Sequence, residues 1–452
     1  MVARRAEQGV TLAAFTSTTP PMVFLHTMKA PPGSRLARSL ERAAAANALR
    51  PLVGPFHEPI ARLSAPPALL DEAGRDLPEG AAKAEAVAVR LRRQGVVLSW
   101  GEPEVLPSAS SYFEACRARG ASSIEIVRAD SSLLTELQLG SFFNVYWPSR
   151  ALRRAFYSAP ATVLRRLRSA AAADAAFWAG ARSAATDDEW ARLARSSYVV
   201  LTYHRLAGDR VPGQERLDVD PAMFRRQLRW LRRLGFRPLS SEEQARFHLD
   251  PAATLPRRSF ALTADDGFRD AVAAMHGHVS AKPQLFVNTA SVGGVASFAD
   301  DRALASWNEL RELAAAGASI GSHARTHGRL AHSPPELLDD ELAGSLRELQ
   351  AHVPAAVPVL AYPHGSHDER VRCAAIRAGY RAAFTTETGR NGAGTDPYCL
   401  RRVSVKDWDG PLSVLWKTVT GEVVPSVWDR WTQRLRRAHL RRAVLSKNPC
   451  IF

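Results

Sequence analysis

The hydrophobic positions in the second half of the chain follow two alternating periods. Short apolar runs typical of buried strands are YVVLTYH, RSFALT, QLFVN, ASIGS, VPVLAY and RAAFTT. Amphipathic segments lie between them, as where Phe224 and Leu231 recur at helical spacing before a stop at Gly235. Regular alternation of strands and helices predicts an α/β fold, either a parallel sheet or a (β/α) barrel, over residues 196–424.

The first 195 residues are less regular. GVVLSW (95–100) and SSIEIVRA (122–129) are apolar and β-branched and predict buried strands. The run EACRARGA between them predicts a helix that ends at Gly120. We therefore expect a small α/β unit. This region carries no phosphate loop and no metal-ligand cluster, so a second sugar- or nucleotide-handling unit and a docking region remain equally compatible with it.

Length and composition support a globular protein of several parts. At 452 residues the chain is too long for one ordinary core, and its 46% hydrophobic and 23% charged residues are close to globular averages. We expect an N-terminal region of unknown function (1–195), the strand–helix region (196–424) and a basic tail (425–452).

The formal net charge of +15 points towards anionic partners. In the tail, Trp428, Trp431 and Leu435 share one helical face, surrounded by arginines. This pattern predicts either an amphipathic helix attracted to an anionic membrane surface or a solvated helix that packs its tryptophans on the preceding domain. Basic residues are otherwise scattered, which argues against specific nucleic-acid binding.

The N-terminal segment and the cysteines bear on the expected compartment. The apolar stretch near the N-terminus is broken by Thr, Ser and Pro, and no window of about 20 residues is apolar enough to cross a bilayer. The four cysteines form no CxxC pair. We expect a cytoplasmic protein, with peripheral membrane contact as an option.

Candidate chemistry lies where predicted strands end. Asp265 and Asp266 follow FALTA and precede Gly267, and a pair of this kind is also common as a helix N-cap. His323 and His327 follow the strand ASIGS with the spacing HxxxH, which places two imidazoles on one side of a turn, although such pairs are often structural. One carboxylate and two histidines make a three-ligand site with an open position, as catalytic zinc requires.

Several segments together resemble a known family. FALTADDGFRD, SWNELRELAAAGASIGSHARTHGRL, VLAYPHGSHDERV and YRAAFTTETGRN, in this order, resemble the polysaccharide deacetylases of carbohydrate esterase family 4. The resemblance covers roughly residues 196–420 and implies a distorted (β/α) barrel. It implies that Asp266, His323 and His327 bind Zn²⁺, or another divalent transition metal such as Co²⁺ or Ni²⁺.

The resemblance also implies roles for the remaining site residues. Asp265 would be the general base that activates the attacking water, and Arg402 in LRRVSV would orient it. The backbone N–H of His364, which replaces the family's Tyr, would stabilise the oxyanion. The family's late Leu-x-His motif is missing from this chain. In a subgroup of the family an early Tyr-His approaches the metal site, so His204 of LTYHRL is a candidate general acid or metal-site partner, with a core histidine as the alternative.

Two other departures from the family pattern affect the walls of the site. Ala264 replaces the family's aromatic residue before the aspartates, which we expect to change packing more than chemistry. His364 and His367 are available as additional ligands, or as solvent-exposed loop residues.

These features predict a metal-dependent hydrolase that removes the N-acetyl group of an N-acetylhexosamine. The substrate would be a polysaccharide, an oligosaccharide or a lipid-linked glycan. The alternative is a catalytically weak or inactive deacetylase-like module that binds carbohydrate, with the N-terminal region as a docking or second sugar-handling domain.

Overall fold

A computed structural model describes residues 28–29, 63–64, 72–94, 99–100, 104–105, 108–143, 147–157, 170–208, 217–297 and 301–424. The predicted tail helix lies outside these residues. The chain divides into two compact units. The N-terminal unit contains Met1–Ser197 with Arg246–Leu255 and Asn391–Asp396; the sheet unit contains Tyr198–Ala245, Pro256–Arg390 and Pro397–Phe452.

The described α-helices, numbered in chain order, are α1 (Lys83–Arg93), α2 (Ala109–Ala129), α3 (Trp147–Phe156), α4 (Ala170–Ala184), α5 (Asp187–Trp190), α6 (Pro221–Arg233), α7 (Ser241–Leu249), α8 (Arg269–His276), α9 (Trp307–Ala315), α10 (Pro335–Asp339), α11 (Ser345–His352), α12 (Glu369–Arg377) and α13 (Pro411–Thr420).

The described β-strands are β1 (Met28–Lys29), β2 (Leu63–Ser64), β3 (Ser99–Trp100), β4 (Glu104–Val105), β5 (Ser197–Tyr203), β6 (Arg237–Pro238), β7 (Ser259–Ala264), β8 (Gln284–Val287), β9 (Val295–Ala296), β10 (Arg302–Ala303), β11 (Ser319–Ser322), β12 (Val359–Ala361), β13 (Ala382–Phe384), β14 (Asn391–Gly392) and β15 (Val403–Ser404).

The sheet unit is built on parallel strands in the order β13-β12-β11-β8-β7-β5, with β15 beside β5 and β6 beside β7. The sheet curls into a half barrel, which confirms the predicted distorted α/β barrel. Its strands are buried on both faces, as for all seven residues of β5, and therefore appear in the sequence as continuous apolar runs. Parallel pairing brings the carboxyl ends of these strands to one edge of the sheet.

The described part of the N-terminal unit is mostly helical, and the predicted strand at 122–129 is wrong. These residues form the last turns of α2, which begins at the N-cap Ser108 and passes through Gly120 without ending there. Gly120 instead allows close packing on α4, since a Cβ at this position would lie 2.0 Å from the carbonyl oxygen of Phe177. Gly180 of α4 is matched in the same way to the Arg117 carbonyl, at 1.9 Å. Helix packing therefore overrides the strand propensity of this segment.

The other strand predicted for the N-terminal region is described only in part. Of GVVLSW, only Ser99–Trp100 is described, and it is a strand that pairs with β2. A capping box between Thr186 and Glu189 begins α5.

Candidate active site at the carboxyl ends of the strands

Three strands of the sheet deliver the candidate residues to one edge. His204 directly follows β5, Asp265 and Asp266 follow β7, and His323 follows β11. Backbone hydrogen bonds tie these strand ends together: the Asp265 N–H donates to the Tyr203 carbonyl over 3.1 Å, and the His323 N–H donates to the Val287 carbonyl over 2.8 Å. The aspartates do not cap a helix, because α8 begins later, at Arg269.

Asp266, His323 and His327 converge on a common point. One ligand atom from each lies within 4.8 Å of the others, which is the spacing that a single ion needs. The Nε2 atoms of His323 and His327 lie 3.5 Å and 3.2 Å from Oδ1 of Asp266. The three residues can therefore hold a divalent metal ion, and their donor set of one carboxylate and two imidazoles suits a transition metal.

The orientation of His323 fits a metal ligand. Its Nδ1 donates to the Ala361 carbonyl over 2.7 Å, so Nε2 is left as the lone-pair atom that faces Asp266. Burial lowers the pKa of His323 to about 4, against the opposing effect of Asp265 and Asp266, so this imidazole is neutral near pH 7.

The environment of Asp266 also fits a metal ligand. Its Oδ1 is buried and has no hydrogen-bond partner among the described residues. Burial alone would raise the pKa of Asp266. The close contact with His327, whose Nε2 lies 3.2 Å from Oδ1, and the charges of His204 and His323 outweigh burial and hold that pKa well below its usual range. An ionised oxygen facing a neutral imidazole lone pair is unfavourable unless a cation lies between them.

The backbone at two of the three clustered residues, Asp266 and His327, is held in an unusual conformation. His327 has φ of 64°, and Asp266 has φ of 71°, a left-handed region that is costly for residues other than glycine. The carboxylate of Glu341 accepts the backbone N–H groups of Arg325 and Thr326 at 3.0 and 3.1 Å, which fixes the turn that carries His327. Strained backbone at two ligands is typical of a functional site rather than of a structural turn.

Asp265 is placed as a base and is paired with Arg402. A guanidinium nitrogen of Arg402 donates to Oδ1 of Asp265 over 2.6 Å, and both side chains are buried. The Nε of Arg402 also donates to the Thr385 carbonyl over 2.9 Å, which fixes the guanidinium. Burial raises the pKa of Asp265, but the Arg402 charge, supported by His323, outweighs it, so the pKa of Asp265 lies below its ordinary value. Asp265 is therefore ionised at neutral pH.

The two remaining candidates flank this centre. His204 lies close enough to both aspartates for its charge to lower their pKa values. Its Nδ1 is buried and has no hydrogen-bond partner among the described residues. The exposed ring of His364 lies beside that of His327 with 4.5 Å between ring centroids, and His364 has φ of 57°. His364 is not part of the three-residue ligand cluster.

His367 lies apart from the cluster. Its ring stacks on Tyr362 at 4.9 Å, and its Nε2 lies 3.9 Å from the Cys399 sulfur.

Two further residues, Asn288 and Glu341, support the site and were not predicted from the sequence. Asn288, at the end of β8, donates its side-chain amide to the His323 carbonyl over 2.6 Å. Glu341, in the segment between α10 and α11, holds the His327 turn. Asn288 follows a predicted strand end, so that position could have indicated it. Nothing in the sequence indicated Glu341, whose partners are backbone groups.

Comparison with solved structures gives partial overlaps. A deacetylase of Streptococcus pyogenes, PplD, in complex with acetate, matches with a TM-score of 0.43 and 23% identity, over 49% of this chain and 98% of that chain. IcaB from Ammonifex degensii matches with a TM-score of 0.43 and 24% identity, over 49% of this chain and 97% of that chain.

Comparison with protein families and curated sequences is more specific. The family model described as polysaccharide deacetylase matches residues 252–383. A Bacillus subtilis (strain 168) protein named "Putative polysaccharide deacetylase YxkH" is 26% identical over 213 residues, which is 46% of this chain and 70% of that protein. The matched segment contains Asp265, Asp266, His323 and His327. Residues 252–383 therefore belong to a polysaccharide deacetylase domain of carbohydrate esterase family 4, a family that acts on carbohydrate.

Proposed function

We propose that the protein is a metal-dependent deacetylase that hydrolyses the N-acetyl group of an N-acetylhexosamine in a polysaccharide, oligosaccharide or lipid-linked glycan. The observation that carries this proposal is the convergence of Asp266, His323 and His327 beside a second, Arg402-paired carboxylate. This arrangement suits a hydrolase, because one aspartate (Asp266) can bind the metal while the other (Asp265) is left to act as the base.

Asp266, His323 and His327 would hold the ion, which we propose to be Zn²⁺ or a related divalent metal such as Co²⁺ or Ni²⁺. When bound there, it would acidify a water molecule and polarise the acetamide carbonyl. The neutral state of His323 at pH 7 leaves its Nε2 lone pair available, so binding requires no loss of a proton from this residue.

Asp265 accepts the proton of the attacking water in this proposal. Its lowered pKa keeps it ionised, and the Arg402 hydrogen bond holds the carboxylate in one orientation. The water oxygen adds to the acetamide carbonyl carbon, and the backbone N–H of His364 stabilises the resulting negative charge on oxygen.

His204 completes the reaction as the proton donor. Breakage of the carbon–nitrogen bond requires a proton on the leaving nitrogen, and the products are acetate and a free amino sugar. The position of His204 beside both aspartates and its buried, unpartnered Nδ1 support this role. It replaces the late histidine that the sequence lacks.

Acetate release from N-acetylglucosamine oligomers tests the proposal. The purified chain is assayed as isolated, after chelation and after return of Zn²⁺, next to Asp265→Asn and the control Asp339→Asn, which changes an exposed aspartate. We expect release that chelation abolishes, that metal restores, that Asp339→Asn retains and that Asp265→Asn loses. A chain that binds the oligomers but never releases acetate from any N-acetylhexosamine substrate would overturn the proposal and favour the carbohydrate-binding module.

A further inference from the structure

A second surface of the sheet unit carries a strong and one-sided charge. Helix α6 buries Phe224, Gln227 and Leu231 and turns one side to solvent, while Met223 and Leu228 pack partly against the core. The exposed positions include five arginines: Arg225, Arg226, Arg229, Arg232 and Arg233. Within the described residues none of the five forms an ion pair, and α6 itself contains no Asp or Glu.

Several arginines elsewhere in the sheet unit are compensated by carboxylates. Arg205, Arg269 and Arg325 each pair with a carboxylate at 3.2 Å or less. Five guanidinium groups along a helix of 13 residues repel one another, which opposes folding unless an external anion offsets the repulsion. The face of α6 is therefore arranged for an anionic partner.

Helix α13 packs beside α6 and exposes apolar side chains. Leu412 and Val419, seven residues apart and thus on one side of the helix, are 66% and 54% exposed. Val423, just past the helix end, is 55% exposed. Like α6, α13 contains no Asp or Glu. A solvent-facing side of a helix is normally polar, so this one indicates a partner that accepts apolar groups.

Trp230 joins the two surfaces. It is 40% exposed and lies three residues after Gln227, whose side-chain amide donates to the Asp409 carbonyl immediately before α13. Trp230 therefore projects from the side of α6 that faces α13. An exposed tryptophan beside a row of arginines suits the headgroup level of a bilayer, where one end of the indole is apolar and the other hydrated.

We propose that the exposed faces of α6 and α13, together called the basic-apolar face, bind an anionic phospholipid surface. The arginines would contact phosphate headgroups while Trp230, Leu412 and Val419 enter the boundary with the acyl chains. None of the helices among the described residues is long and apolar enough to cross a membrane. The proposal stands independently of the deacetylase reaction.

The chain's own tail is a poorer occupant of this face. Residues 425–452 contain six arginines and one lysine but only one acidic residue, Asp429. Its charge therefore repels the row on α6 rather than complementing it. The same charge makes the tail a second cationic contributor to an anionic surface.

Vesicle co-sedimentation of the full-length chain tests the proposal. Vesicles of phosphatidylcholine alone are compared with vesicles containing about one third phosphatidylglycerol, a content high enough for a strongly negative surface. The test variant is Arg225→Glu with Arg229→Glu. Its matched control is Arg347→Glu with Arg377→Glu, which makes the same charge change at exposed arginines of α11 and α12.

We expect binding to the anionic vesicles only, and weaker binding as salt rises. The α6 double variant should bind at least roughly 25-fold more weakly, at about fivefold per arginine, while the control keeps most of its affinity. Leu412→Gln with Val419→Gln should also weaken binding, whereas Leu337→Gln with Ile376→Gln, at exposed apolar sites of α10 and α12, should not.

Three outcomes would overturn the proposal. If the α6 and control variants lost affinity for anionic vesicles equally, the net charge of the chain, rather than this face, would explain binding. If Arg436→Glu with Arg437→Glu abolished binding to anionic vesicles while the α6 double variant retained it, the contact would lie in the tail. Retention on heparin without binding to anionic vesicles would favour an anionic polymer instead. Because acetate release from soluble oligomers needs no vesicles, failure of this proposal is distinguishable from failure of the deacetylase function.

Discussion

One buried ion pair of the N-terminal unit and the candidate site of the sheet unit show two contrasting arrangements of buried charge. In the N-terminal unit, Arg153 and Asp174 form a bidentate pair at 2.6 and 2.9 Å, and Trp178 donates its indole N–H to the same carboxylate. The remaining guanidinium nitrogen of Arg153 donates to the Ser141 and Phe142 carbonyls. These hydrogen bonds satisfy both charged groups within the unit, which is typical of a structural ion pair.

The candidate site of the sheet unit leaves the charge of Asp266 incompletely satisfied. Oδ1 of Asp266 has no hydrogen-bond partner among the described residues, and two imidazole nitrogens face it. The backbone at Asp266 and His327 is left-handed as well. The comparison teaches that burial of charge does not by itself identify a site. Convergence of unsatisfied ligand atoms on strained backbone does.

Asp265→Asn should separate the two arrangements most sharply. Loss of the proposed base should lower kcat for acetate release by about 10²–10⁴-fold, the usual range for a general base. The free energy of unfolding should change less, because relief of repulsion between Asp265 and Asp266 offsets the lost pairing with Arg402. Steady-state kinetics and urea unfolding of the same preparations would check this. Wild-type kcat in the variant would remove Asp265 from the chemistry.

Asp174→Asn should have the opposite profile. It leaves the Arg153 guanidinium buried without its counter-charge, which should lower the free energy of unfolding by about 3–5 kcal/mol. Acetate release per folded molecule should stay unchanged. Chemical denaturation combined with an activity assay normalised to folded protein would measure both. A large loss of kcat with unchanged stability would show that this pair is not structural.

The sequence predicted the site residues that lie at strand ends, but it did not predict the secondary structure of segments where packing between helices decides between strand and helix. A site of one aspartate with His323 and His327 was predictable, because the aspartates and His323 follow apolar runs that end at the same sheet edge and His327 lies one turn beyond His323. The choice of Asp266 as the ligand came from the family resemblance. The contact between Arg402 and Asp265 rested on family resemblance alone, since 137 positions separate them. Ile124 and Ile126 predicted a strand, but they are buried within α2, because helix packing uses β-branched residues equally well there.

Gly120→Ala should sharpen that lesson about packing. The added Cβ would meet the Phe177 carbonyl oxygen at 2.0 Å, so α2 and α4 must move apart, at a cost of about 1–3 kcal/mol in the free energy of unfolding. Gly208→Ala is the control, since a Cβ there meets nothing within 4 Å. If helix propensity alone mattered at residue 120, alanine would stabilise the chain, and thermal denaturation would show a higher Tm.

The last prediction concerns His248 and the pH dependence of the free energy of unfolding. Burial, with the Arg192 charge, lowers the pKa of His248 to about 3, so the folded chain keeps it neutral while the unfolded chain binds a proton below about pH 6.5. This contribution to stability is complete above about pH 6.5 and is lost as the pH falls towards 3. Between pH 7 and 5 the loss should amount to about 2 kcal/mol. Urea unfolding at both pH values should show a smaller decrease for His248→Gln than for wild type; an equal decrease would refute the assignment.

Metal stoichiometry tests the central claim most directly. The chain is stripped with chelator, incubated with Zn²⁺, dialysed and analysed for zinc per chain, alongside His323→Ala and the control Asp174→Asn. The account predicts one ion per chain in wild type and in Asp174→Asn, and none in His323→Ala, because only Asp266, His323 and His327 present converging ligand atoms in the described structure. A wild-type chain that retains no metal, or a His323→Ala chain that retains one ion, would contradict it.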